Sequence, residues 1–214
     1  MRGFNFNTIS NFDNHICNSI AGYGLLDNLI INICSFYAKK GETIIDLGCT
    51  TGRLINKLAE INTDSYCVGI DITDDNFING EAELIKQDIT SNDLNLENPN
   101  IVLSIFTLQF IKQSERVELL RKIYNSLNSN GVFIVCEKEI NNIGIFQEVF
   151  TFSNYDYKKQ NFNSDEILQK EEDLRIVMNC LSIGENEKMF SSVGFTRIAC
   201  FFQSLNFRGW LCMK

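Results

Sequence analysis

The chain is 214 residues long, with 44% hydrophobic and 21% charged residues. That composition excludes a disordered, collagenous or coiled-coil chain, and at about 150 residues per domain the length suits a single α/β domain. The formal net charge is −8, from 19 Lys and Arg against 27 Asp and Glu, a balance that argues against direct nucleic-acid binding.

No run approaches the roughly 18 apolar residues of a membrane span. Residues 1–7 lack the apolar core of a signal peptide, so a soluble, cytoplasmic protein is expected. The eight cysteines form no C-x-x-C pair. Several stand in apolar runs, among them Cys67, Cys136 and Cys200, which fits reduced, buried thiols better than a disulfide framework. With His15 as the one histidine, a zinc site has little support and no metal is expected. A Ser-His-Asp hydrolase is equally poorly supported, because no G-x-S-x-G turn exists. His15 is read as structural, and no catalytic residue is identified.

The elements alternate. Leu25, Leu26, Leu29, Ile30, Ile33, Phe36 and Tyr37 form a helical stripe over residues 25–38. Residues 43–47 read as a first strand, followed by a glycine loop and a helix carrying Leu54, Ile55, Leu58 and Ala59. Strands follow at 66–70, 82–86 and 100–105. Ser114 is placed to cap a helix running to about Leu127. A fifth strand covers 132–137 after the Asn130-Gly131 turn. Two helices are expected within 139–183, and another at 184–193 capped by Gly194. Two β segments, 195–203 and 206–213, close the chain.

Strands alternating with helices imply a parallel, doubly wound sheet. The last two segments are too close for a helical crossover, so they form a hairpin and the seventh strand runs antiparallel. The expectation is a Rossmann-like α/β domain of the class I methyltransferase type over residues 1–214. Residues 1–40 form an N-terminal helical segment and residues 139–183 a helical cap inserted over the site.

The stretch Ile44-Ile45-Asp46-Leu47-Gly48-Cys49-Thr50-Thr51-Gly52 sits at a strand-to-helix turn. Glycine lets the backbone approach a ligand where a Cβ would collide. A dinucleotide site calls for G-x-G-x-x-G around a pyrophosphate. The D-x-G-x-x-x-G form here suits S-adenosylmethionine (SAM), which carries a zwitterionic amino acid and no phosphate. Asp46 can favour the cationic groups of that ligand, or serve as a buried acceptor for loop amides.

Asp71 lies 23 residues after Gly48, at the end of the next strand. There a carboxylate matches two vicinal ribose hydroxyls. Asp88 and Ile89 follow the third strand, where the acid can accept from an adenine amino group while its neighbour packs on the ring. Cys49 is read as a small residue packed in the loop, and Phe201-Phe202 as sheet core.

Longer motifs carry a resemblance. Ser19-Ile20-Ala21-Gly22-Tyr23-Gly24, Asp46-Leu47-Gly48-Cys49-Thr50, Phe106-Thr107-Leu108-Gln109-Phe110, Ser114-Glu115-Arg116, Lys122-Ile123-Tyr124, Glu137-Lys138, Glu166-Ile167-Leu168-Gln169-Lys170 and Phe202-Gln203-Ser204-Leu205-Asn206-Phe207 are similar to the carboxy-S-adenosylmethionine synthases. These enzymes are a branch of the SAM-dependent methyltransferase superfamily, and the similarity runs from about Asn11 to the C-terminus. The resemblance implies cofactor contacts at Tyr23, Gly48, Cys49, Thr50, Asp71, Ile72, Asp88 and Ile89, and a homodimer. It also implies a reaction in which a sulfonium ylide captures carbon dioxide from prephenate, giving a carboxylated cofactor for tRNA wobble-uridine modification.

Two positions depart from that pattern. Ile105 stands where the family has an asparagine, and Glu171 where it has an arginine that pairs with the added carboxylate. Two carboxylates repel, whereas an arginine fork binds one bidentately. Arg175 lies at i, i+4 from Glu171, so it either supplies the missing cation to the substrate or forms a salt bridge with Glu171; the salt bridge is the expected arrangement. The chain is therefore read first as a SAM-dependent methyltransferase acting on a small molecule. Retained carboxy-SAM synthase activity and a non-catalytic SAM- or partner-binding role stand as alternatives.

Overall fold

The computed structural model describes residues 12–214. The signal-peptide reading of residues 1–7 and the start of the N-terminal segment lie outside these residues. The helices are α1 (Phe12–Ser19), α2 (Tyr23–Tyr37), α3 (Arg53–Ile61), α4 (Gln113–Ser126), α5 (Gly144–Lys158), α6 (Ser164–Val177) and α7 (Ile183–Ser192). The strands are β1 (Thr43–Leu47), β2 (Tyr66–Asp71), β3 (Glu83–Lys86), β4 (Ile101–Ile105), β5 (Val132–Ile140), β6 (Leu181–Ser182), β7 (Arg197–Ser204) and β8 (Phe207–Met213).

The sheet runs β3-β2-β1-β4-β5-β8-β7, with the short β6 pairing β5. The first five strands pair in parallel, while β8 is antiparallel to both neighbours. The expected fold class and antiparallel last strand are therefore present. Successive β1 residues face opposite sides: Ile44 joins the α2–α3 core, and Ile45 joins the α4–α7 core. This two-sided burial explains why the central strands read as continuous apolar runs. Leu26, Ile30, Ile55 and Leu58 cover one face, and Leu120, Ile123 and Phe190 cover the other; all are fully buried. Each contributes about 1.5–3 kcal/mol through removal from water.

The structure corrects several boundaries. Lys112, not Ser114, occupies the N-cap of α4, and no side chain caps that end. β5 extends past residue 137 to Ile140, because β6 pairs Glu139 and Ile140 beyond the point where the sequence turns polar. The helix expected at 184–193 runs one residue earlier, with Val193 as C-cap and Gly194 following at φ 126°.

Cys200 is exposed, contrary to the expectation of burial. It lies on the edge strand β7, just before a β-bulge between Cys200 and Phe202; such a bulge re-aims side chains, and Phe202 turns inward. Among the described residues no single helix is long and apolar enough to cross a membrane.

Candidate cofactor and acceptor site

The strand order turns around between β1 and β4, and a crevice opens there beyond the carboxyl ends of the strands. It is a cavity of about 440 Å³. Its floor comes from the ends of β1, β2 and β4 and from the residues after β3. Its roof comes from α1, α5 and α6, which contribute His15, Lys158, Lys170, Glu171 and Leu174.

Backbone conformation shapes the β1–α3 loop. Gly48 has φ 81°, and a Cβ there would stand 2.4 Å from the Thr107 side chain. The amides of Gly48 and Cys49 both donate to the Ile70 carbonyl, at 2.7 and 3.2 Å. The Thr50 amide donates to Asp71 Oδ2 at 2.9 Å, and the Thr73 amide to Oδ1 at 3.1 Å. Two backbone donors thus orient the Asp71 carboxylate at the cavity wall and leave acceptor capacity on both oxygens. Asp88 is exposed and accepts from the Thr90 amide at 2.8 Å and hydroxyl at 2.7 Å, while Ile89 beside it is buried.

Asp46 is 3% exposed and lines the cavity. Its Oδ1 is buried with no hydrogen-bond partner. Burial and the neighbouring Asp71 push its carboxyl up to about 7, against the pull of Arg53. Tyr23 is buried in the same wall, 6.4 Å from the Phe106 ring. Phe106 takes φ 58° where β4 ends and meets Phe207 edge-on at 5.8 Å. Beneath the cavity, buried Glu137 accepts the Leu108 amide at 3.0 Å. Burial pushes Glu137 up to about 8, against the pull of Arg116 and nearby backbone amides.

The opposite wall is basic. Glu171 takes Lys158 Nζ at 2.8 Å and Lys138 Nζ at 3.5 Å. Burial works against its ionisation, yet the two lysines hold its carboxyl below the usual range. Burial and the Lys158 charge lower the Lys170 ammonium to about 8, against Asp173.

Of the residues singled out in the sequence, Tyr23, Asp46, Gly48, Cys49, Thr50, Asp71, Ile72, Asp88, Ile89 and Ile105 all line this one cavity. Arg175 does not. It is exposed on α6, and the expected Glu171–Arg175 salt bridge is replaced by the lysine pairs. Glu171 and Arg175 share a helix, but Glu171 faces inward, where α5 and β5 present cations. His15 also lines the cavity, with its ring 5.0 Å from that of Phe162. Sequence reasoning missed Asp13, Arg53, Lys138 and Lys158 as cavity residues. Lys138 stood inside a quoted motif and Arg53 directly follows the glycine loop, but nothing local marked Asp13 or Lys158.

The cavity fits SAM by three features: a glycine bend with no room for a Cβ against Thr107, an oriented carboxylate at the end of β2, and a buried unpaired carboxylate oxygen that a cation would satisfy.

A family model described as a methyltransferase domain matches residues 38–185. Among curated proteins, the chain is 31% identical to the carboxy-S-adenosyl-L-methionine synthase of Campylobacter concisus, over 95% of this chain and 90% of that one. It is 30% identical to the protein of the same name from Nautilia profundicola, over 99% and 94%. Among solved structures, the plantazolicin methyltransferase BpumL with S-adenosylhomocysteine (SAH) aligns at TM-score 0.66 and 14% identity, over 95% of this chain and 88% of that one; this likeness shows the fold.

Proposed function

Because the chain belongs to the methyltransferase-domain family and to its carboxy-S-adenosyl-L-methionine synthase branch, we propose that this SAM-dependent transferase methylates a small anionic molecule. One observation carries the reading: a single cavity has Asp46, Asp71 and Asp88 at or after the ends of β1, β2 and β3, and Lys138, Lys158 and Lys170 from β5, α5 and α6. The cofactor, when bound, supplies a methyl group on a positively charged sulfur. Asp71 accepts the ribose hydroxyls. Asp88 accepts the adenine amino group while Ile89 packs on the ring. Asp46 answers the ligand's positive charge.

Lys138, Lys158 and Lys170 neutralise the acceptor and orient it for in-line attack. The roof helices exclude water, so positioning and desolvation provide most of the rate. Residues 1–214 act as one SAM-binding unit with residues 139–183 as its cap. A cytoplasmic homodimer is the working assembly.

A second reading, carboxy-SAM synthesis from prephenate, is favoured by Lys138 and Lys158, which bring positive charge to the neighbourhood of Glu171. One experiment separates the two. The protein is incubated with methyl-labelled SAM and a small-metabolite extract, and in parallel with SAM and prephenate; products are read by mass spectrometry. Label on an anionic metabolite with release of SAH is expected. A cofactor heavier by one carbon dioxide in the prephenate arm overturns the methyltransferase reading in favour of the synthase. Failure to bind SAM or SAH removes both.

A further inference from the structure

Arg53 opens α3 and lines the cavity beside Tyr23, Asp46 and Thr51. Its guanidinium carbon is 6.0 Å from the Tyr23 ring centroid. Its Nε donates to Asp13 Oδ1 at 3.1 Å, and its Nη2 meets Asp27 Oδ2 at 2.7 Å. A guanidinium carries five N–H donors, so these contacts leave others directed elsewhere, and the side chain keeps 29% of its surface exposed.

The sheet order gives the cavity a direction. Asp88 follows β3, Asp71 ends β2 and Asp46 lies in β1, and Arg53, on the helix that crosses from β1 to β2, lines the same cavity beside Tyr23. A nucleoside held by Asp88 and Asp71 therefore extends its other end to Asp46, in the wall that Tyr23 and Arg53 also line. That end of SAM is an amino acid, with one ammonium and one carboxylate. Asp46 offers an unpartnered buried oxygen on this wall, and Arg53 offers a cation.

We propose that Arg53 binds the carboxylate of the cofactor's methionyl arm while Asp46 faces its ammonium, so that Arg53 selects the intact amino-acid cofactor. Asp13, on a helix with no buried residue, is the counter-ion that yields part of Arg53 to the ligand. The inference rests on the SAM-binding reading and names the residue that reads one end of the ligand.

The test is calorimetric binding of SAM and of decarboxylated SAM, which keeps the sulfonium and the amine. The wild-type protein prefers SAM by about 10- to 100-fold, the scale of a charge-assisted pair. Arg53→Gln brings that ratio close to one. A merely structural Arg53 would weaken both ligands equally and leave the ratio intact, which would overturn the proposal. Should Arg53→Gln fail to fold, Asp13→Asn serves instead: it retains Arg53 on Asp27 and keeps or raises the ratio, and a fall overturns the proposal. Equal binding of both ligands by the wild-type chain overturns the Arg53 assignment alone, whereas binding of neither ligand, nor of SAH, overturns the cofactor reading beneath it.

Discussion

Asp71 and Asp46 are both acids in the cavity wall, and they behave differently because one is hydrogen-bonded and the other is not. The Asp71 carboxylate is held by two backbone amides, which fixes its direction at the cavity wall, where the proposed function gives it the ribose hydroxyls. Asp71→Ala should weaken SAM binding by about 1–3 kcal/mol, the scale of lost charge-assisted hydrogen bonds. Calorimetry that finds unchanged affinity would remove the ribose assignment.

Asp46 lies in a buried setting that also faces Asp27, Asp71, Tyr23, Cys34 and Cys49, with Arg53 as the cation that opposes them. Its carboxyl rises from the ordinary range near 4 to about 7 on folding, so the folded state holds a proton that the unfolded state has lost. In the cofactor-free protein this group's contribution therefore falls as pH rises through that window. Asp46→Asn should flatten that part of the pH–stability curve and raise the melting temperature at pH values above the window. Denaturation curves of both proteins across the window check it, and parallel curves would show that Asp46 ionises normally.

At the scale of elements, the loop after β1 and the helix α5 are the informative pieces. The loop was readable because its constraint is local: Gly48 adopts a left-handed backbone and leaves no room for a Cβ against Thr107. α5 is the reverse. It buries Asn154 and Lys158 and exposes Ile145, Phe146, Val149 and Phe152, so its apolar stripe faces away from the sheet. Its hydrophobic spacing predicts a helix but not which side is inside. The buried side is chosen by the cavity, where Lys158 meets Glu171. A contiguous apolar face of this kind marks an interaction surface, and it supports the proposed homodimer. The double substitution Phe146→Glu, Phe152→Glu should convert a dimer to a monomer by light scattering. A wild-type chain that is already monomeric at the same concentration would remove the dimer.

For the whole molecule, the cavity is lined from β1, β2, β4, β5 and β8 and from helices α1 to α6, so ligand binding should report on global stability. A ligand that binds the folded state alone, at about 1,000 times its dissociation constant, adds about 4 kcal/mol. For a chain of this size that raises the melting temperature by roughly 10 °C. Scanning calorimetry with and without SAM tests this, and no shift at saturating SAM would contradict the site.

The sequence by itself determined the layered α/β architecture, the parallel strand succession and the antiparallel close. It also marked the glycine bend and the acids that follow it. These are written in short-range patterns: apolar runs, turn residues, and motif spacings that need no knowledge of distant neighbours. The sequence also placed Glu171 at a departing position, yet assigned it the wrong partner. Glu171 and Arg175 are four residues apart, whereas Lys138 and Lys158 lie on β5 and α5. Only the tertiary structure decided which cations meet that carboxylate, that Arg53 stands between Asp13 and Asp27, and that the apolar stripe of α5 faces outward. Each of these depends on segments far apart in the chain, brought together by closing the roof over the sheet.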